Sequence, residues 1–218
     1  MTLILGSFKP EVEPALEEME VLERGRVVKR YYQRGLIGRN EVVVTFGFIG
    51  KVEASLVTQA FLDRFKIDRV FLTGVAGALV DSVHVGDVVV GDSYVEHDFE
   101  TMMGDTGITL AGSLELLEKL NRYFDAKPLV GKIASGDTFV SDFAKRRELS
   151  KRIGAICFDL DSAAVAKVCQ ENDREFLSLK VIIESLEGCT EEELRMHYEK
   201  HSFLANLLLV NAMKSLVF

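Results

Sequence analysis

The chain has 218 residues, 48% of them hydrophobic, with a formal net charge of −8 at pH 7. That length builds one sizeable core and is short for two, so one globular domain spanning residues 1–218 is expected. The acidic balance offers no broad positive field for nucleic acid or an anionic membrane surface, and a small-molecule partner is expected instead.

Strand-length apolar runs alternate with helical periods, which predicts an α/β fold layered on a sheet rather than a bundle or a sandwich. Thr2–Leu5 reads as the first strand, and Pro10 opens a helix that carries Val12, Ala15, Leu16 and Met19. Residues 26–46 read as two strands turned around Gly38-Arg39-Asn40. Gly50 leads into a helix with Ala54, Val57, Phe61 and Phe65 on its apolar side. The strand Arg69–Thr73 follows and ends in Thr73-Gly74-Val75-Ala76-Gly77-Ala78, read as a small-residue loop whose glycines let backbone N–H groups approach a ligand.

Val85–Val90 reads as a turn into another strand, and helices near 113–124 and 142–152 flank a strand near 129–134. A strand at Ile156–Phe158 precedes a helix from about Ser162 to Asn172, and Phe176–Ile183 is the last core strand. From Glu191 onward one long helical pattern is expected. No stretch nears the roughly 20 apolar residues of a membrane span, and Thr2–Leu5 has no basic leader before it, so a cytoplasmic location is expected. Cys157, Cys169 and Cys189 lack CxxC spacing and histidine neighbours, which predicts buried thiols and neither a metal site nor a disulfide framework.

Open α/β sheets bind ligands beyond the carboxyl ends of their strands. Four polar groups fall there: Glu11, the Gly74–Gly77 segment, Ser135-Gly136-Asp137-Thr138-Phe139-Val140, and the acidic pair Asp161 and Glu184.

Six segments, in order, are Gly6-Ser7-Phe8-Lys9-Pro10-Glu11, Phe48-Ile49-Gly50-Lys51-Val52, Thr73-Gly74-Val75-Ala76-Gly77, Ser135-Gly136-Asp137-Thr138-Phe139, Leu160-Asp161-Ser162-Ala163-Ala164 and Ile182-Ile183-Glu184. Together they resemble the 5′-methylthioadenosine/S-adenosylhomocysteine nucleosidases of the nucleoside phosphorylase and nucleosidase superfamily, and the resemblance spans nearly the whole chain. It implies a three-layer α/β/α fold with a central mixed, twisted sheet, a homodimer, no cofactor, and hydrolysis of the N-glycosidic bond of a purine nucleoside with release of adenine.

By the same resemblance Glu11 orients and deprotonates the attacking water, and Glu184 protonates or hydrogen-bonds purine N7. Such acid–base groups typically contribute about 10²–10⁴-fold each, so orientation and electrostatics must supply the rest. Phe139 matches the purine-stacking aromatic and the Val140 backbone the group that reads the purine edge. Asp161 matches the residue that grips the ribose hydroxyls, Leu160 the one under the sugar, and Ile49 one lining the 5′-substituent pocket; Val75, Ala76 and Gly77 fall in the nucleophile segment.

Four positions depart from the family pattern. Glu184 stands for an aspartate, Asp161 for a glutamate, Val75 for a serine, and Lys180 for an arginine. The sequence also admits a phosphate-dependent phosphorylase or a non-catalytic nucleoside-binding protein. Plainer roles exist for single residues as well: Glu11 as a surface carboxylate near a helix start, Asp161 as a helix N-cap, and His97-Asp98 as a surface or interface pair.

Overall fold

The computed structural model describes residues 1–100, 102, 107–124 and 127–218. Strands are β1 Thr2–Gly6, β2 Glu20–Val27, β3 Arg30–Ile37, β4 Asn40–Phe46, β5 Arg69–Ala78, β6 Val88–Glu96, β7 Leu110–Ala111, β8 Leu129–Ser135, β9 Cys157–Asp159 and β10 Glu175–Glu184. Helices are α1 Glu13–Glu18, α2 Gly50–Arg64, α3 Leu114–Tyr123, α4 Phe143–Ile153, α5 Ser162–Glu171, α6 Glu191–His201 and α7 Leu204–Ser215, and a 3-10 turn spans Lys9–Glu11.

The expected mixed sheet between helical layers is present. β5, β1 and β4 run parallel, with β3 and β2 added antiparallel at the edge. On its other side β5 pairs with both β10 and β9, and β10, β6, β8 and β9 complete a closed ring. The period-2 alternation of β1 sorts the layers. Leu3 and Leu5 pack with Ala54, Val57 and Phe61 of α2 and with α5, whereas Ile4 packs on the opposite face with Ala15, Leu116 and Leu209 of α1, α3 and α7. None of these helices is long and apolar enough to cross a membrane.

Three local readings are corrected. Residues 20–46 form three strands, because Val28 and Lys29 turn the chain at φ 42° and 67° without a glycine to mark the turn. Residues 74–78 are not a loop but the end of β5, paired to β10 on one edge and β9 on the other. Their glycine content answers a need for room: a Cβ on Gly77 would sit 2.4 Å from the Phe158 ring. The C-terminal pattern breaks into α6 and α7 at Ser202-Phe203, where neither Gly nor Pro signals the break.

Candidate active site

The ends of β1, β5, β9 and β10 meet around a cavity of about 640 Å³, counted out to its open mouth. Nine of the expected residues line it: Glu11, Ile49, Val75, Ala76, Gly77, Phe139, Leu160, Asp161 and Glu184. Val140 does not. It lines a neighbouring cavity behind Phe139, and its carbonyl accepts a hydrogen bond from Arg146 Nε at 2.6 Å.

Glu11 closes the 3-10 turn that follows β1. Its Oε2 accepts from the Ser7 and Phe8 N–H groups at 2.8 and 3.2 Å, folding the carboxylate back on the turn that carries it. The Glu11 carbonyl is pinned by the Thr73 hydroxyl at 2.7 Å, and Asn206 of α7 donates to that hydroxyl in turn. At 1% exposure Glu11 is no surface carboxylate. Burial pushes its pKa up to about 7; Lys180 opposes the rise and Asp161 adds to it.

Asp161 sits at the N-terminus of α5 yet makes no capping hydrogen bond. Asp159 does that work: its Oδ1 accepts from the Asp161 and Ser162 N–H groups at 3.2 Å each, while Ser135 Oγ accepts from the Ala163 N–H at 2.8 Å. Asp161 is thereby released to the cavity, where it accepts from Ser7 Oγ at 2.7 Å and Lys180 Nζ at 2.8 Å. Lys180 also lies 3.2 Å from Asp159 Oδ2. Burial disfavours charge on all three groups. For Lys180 the two carboxylates outweigh it and raise the pKa; for Asp159, Lys180 and the Ser135 and Ser162 hydroxyls outweigh it and lower the pKa. In Asp161 burial prevails and the pKa rises.

Gly74 lies between two of these charged heads. A Cβ there would stand 3.1 Å from Glu11 Oε2 and 3.2 Å from Lys180 Nζ. The floor of the cavity therefore carries three carboxyl groups and one ammonium, all buried.

Glu184 ends β10 on the far side. Its Oε2 lies 2.6 Å from Arg146 Nη2 of α4, in an ion pair with side-chain exposures of 6% and 0%. Arg146 also donates to the carbonyls of Val140 and Ser185 at 2.6 Å each, and its guanidinium stands 5.1 Å from the centroid of the Phe158 ring. One arginine thus ties Glu184 and Phe158 of the cavity wall to the backbone beside them. Phe139 packs edge-on against Phe158, with ring centroids 5.5 Å apart, and keeps half its surface open at the mouth. Asp98 is exposed, as expected of a surface pair, and accepts from Lys51 Nζ and the Asp137 N–H, both at 2.7 Å, bracing the 135–139 segment against α2.

A family model described as the phosphorylase superfamily matches residues 2–211. The chain is 60% identical over 218 residues, all of both chains, to the 5′-methylthioadenosine/S-adenosylhomocysteine nucleosidase of Thermotoga maritima. The chain belongs to this nucleosidase family of the phosphorylase superfamily.

Solved structures agree in fold. The Helicobacter pylori 5′-methylthioadenosine/S-adenosylhomocysteine nucleosidase, in complex with a pyrrolopyrimidine-bearing pyrrolidinol, superposes with a TM-score of 0.85 at 25% identity, covering 98% of this chain and 96% of that one. Futalosine hydrolase from the same organism superposes at 0.84 and 26% identity, covering 98% and 95%. Relatives of this family thus share the fold while carrying names for different nucleosides.

As a nucleosidase family member, the chain carries residues in and around the cavity that its sequence did not single out. Arg146 stands in a basic run, Lys145-Arg146-Arg147, which reads as solvated. The signal was the stripe it shares with Leu149 and Ile153, at i, i+3 and i+7, which is the buried face of α4. Asp159 lay two residues before Asp161, and Leu194 and Tyr198 one helical turn apart on α6. Ser7, Phe8 and Ile183, which lie inside the matched segments but were given no role there, also line the cavity.

Proposed function

We propose that this cavity hydrolyses the N-glycosidic bond of purine nucleosides, with 5′-methylthioadenosine and S-adenosylhomocysteine as substrates and adenine as the released base. The observation that carries this reading is the buried floor, where Glu11, titrating at about 7, stands beside the Asp161–Lys180 pair in the same cavity as Glu184. Glu11 takes the proton of the water that attacks the anomeric carbon, Asp161 holds the ribose hydroxyls, and Leu160 lies under the sugar. Phe139 stacks on the purine. Glu184 donates a proton to purine N7 as the glycosidic bond breaks, so the bond's electrons leave with a neutral adenine, and the proton that Glu11 takes from water, passed on through solvent, restores Glu184 for the next turnover. Ile49, Val75, Ala76 and Gly77 form the surrounding wall.

Water is favoured over phosphate by charge. Among the described residues no arginine lines the cavity, and the one ammonium there is already shared between Asp159 and Asp161. A phosphate dianion would meet carboxylates without a bidentate donor to offset them. The working unit in this reading is a homodimer in which a second copy covers the apolar mouth, where Ile49, Val52, Leu56 and Phe139 are each more than half exposed. The free thiols of Cys157, Cys169 and Cys189 suit a reducing cytoplasm.

The test is incubation of the purified protein with methylthioadenosine, S-adenosylhomocysteine, adenosine and inosine, with and without phosphate, following free base by chromatography. Adenine release at the same rate in both buffers is expected. A strict requirement for phosphate would replace hydrolysis by phosphorolysis, and binding without base release would leave a nucleoside-binding protein.

A further inference from the structure

Helix α6 has no buried residue, yet three of its side chains reach the two ends of the catalytic cavity. Leu194 lines the cavity, the His197 ring meets the Ile183 carbonyl at 2.8 Å, and the Tyr198 hydroxyl reaches Glu11 Oε1 at 3.3 Å. The Tyr198 ring packs edge-on against Phe8, with centroids 6.1 Å apart at 88°. A phenylalanine would pack against Phe8 in the same way, so the hydroxyl has one evident use, the bond to Glu11.

We propose that Tyr198 is a positioning residue for the hydrolytic step, donating from α6 to the Glu11 oxygen that the backbone leaves unheld and so fixing the orientation of the carboxylate that activates water.

The argument follows from counting acceptors. A carboxylate has about four lone-pair sites. Two at Glu11 Oε2 are filled by the Ser7 and Phe8 N–H groups, and Tyr198 fills one at Oε1, which leaves one for water. Without the tyrosine, Oε1 has two sites and no fixed donor, and the water it holds loses a defined direction. Other groups face Glu11 as well: Lys180 from β10, Asp161 ahead of α5, Asp159 beyond Lys180 at the end of β9, and Glu184 across the cavity. Lys9 and Glu13, next along the chain, pair with each other at the surface at 3.0 Å. None of these is altered by a change at Tyr198. Burial and the adjacent Glu11 charge raise the pKa of Tyr198, so its hydroxyl keeps its proton and remains a donor.

A donor to a carboxylate stabilises its ionised form, so removing that donor raises the carboxylate pKa. In Tyr198→Phe the acid limb of the kcat/KM–pH profile is expected to move up by about half a unit to one unit. kcat at neutral pH is expected to fall by roughly threefold to tenfold, with KM changed by less than about twofold. A purely structural role would leave the profile in place, since phenylalanine keeps the packing.

The inference rests on Glu11 being the base, and a second measurement separates the two. The carboxyl ¹³C signal of Glu11, assigned by its loss in Glu11→Gln, should titrate higher in Tyr198→Phe by the same amount as the rate profile. An unmoved carbon signal together with an unmoved profile overturns the role of Tyr198. A carbon signal that moves while the rate profile does not overturns Glu11 as the base, and with it the hydrolytic role given to Tyr198.

Discussion

Glu11→Gln is expected to lower kcat by about 10²–10⁴-fold, the usual worth of a positioned base, and to leave KM nearly unchanged. The same substitution is expected to make the protein more stable at neutral pH. Folding moves Glu11 from an ordinary value of 4.5 to about 7. The sign follows from that upward shift: the folded state binds the proton more tightly, so the stability it contributes is full below pH 4.5 and lost as pH rises through 7. At about 1.36 kcal/mol per unit, the ionised carboxylate at pH 8 costs up to about 3 kcal/mol, its attraction to Lys180 already included. Gln removes that cost and keeps an oxygen for the Ser7 and Phe8 N–H groups. Urea unfolding at pH 8 and pH 4.5, alongside base-release kinetics, checks both halves. Unchanged turnover would remove Glu11 from the chemistry, and equal stability at pH 8 would show that burial does not govern its ionisation.

Arg146→Met is the second large effect. The substitution strands Glu184 as a buried carboxylate without its counter-ion, at a cost of about 3–5 kcal/mol, and removes the donors that hold the Val140 and Ser185 carbonyls. Base release should fall with it, because in the proposed reaction Glu184 loses the partner that fixes its position beside the purine. The double variant Arg146→Met/Glu184→Leu exchanges the pair for apolar groups of similar size and should regain most of the lost stability while remaining inactive. Chemical denaturation of the two single variants and the double variant gives the coupling. A double variant as unstable as Arg146→Met would mean that the carbonyl contacts, not the charge pairing, are what the arginine supplies.

Much of this site could be read from the sequence because its residues follow strands closely. Glu11, Asp161 and Glu184 each come within five residues of a strand's last member, where an α/β sheet presents ligands. Phe139 follows β8 by four. What the sequence hid were partners distant along the chain. Arg146 meets Glu184 across 38 positions, and Asp159 takes over the capping duty that was the plainer role open to its neighbour Asp161. The fold was legible to the same degree. Periodicity placed helices α2 to α5 and strands β8 to β10, whereas the closure of β5, β10, β6, β8 and β9 into a ring depends on pairings that no local pattern encodes. Glycines at 74 and 77 suggested a loop because composition marks flexibility and crowding alike, and here they answer crowding from Glu11, Lys180 and Phe158.

The buried floor has a thermodynamic meaning of its own. Glycosidic cleavage makes the sugar transiently cationic, and water around such a cation would have to reorient its dipoles at the moment of reaction. Here the Ser7 hydroxyl, the Lys180 ammonium and the backbone amides of the first turn hold the carboxyl groups in place beforehand. In the proposed reaction that reorganisation is completed during folding, so a field suited to a positive ribosyl centre exists before any substrate arrives.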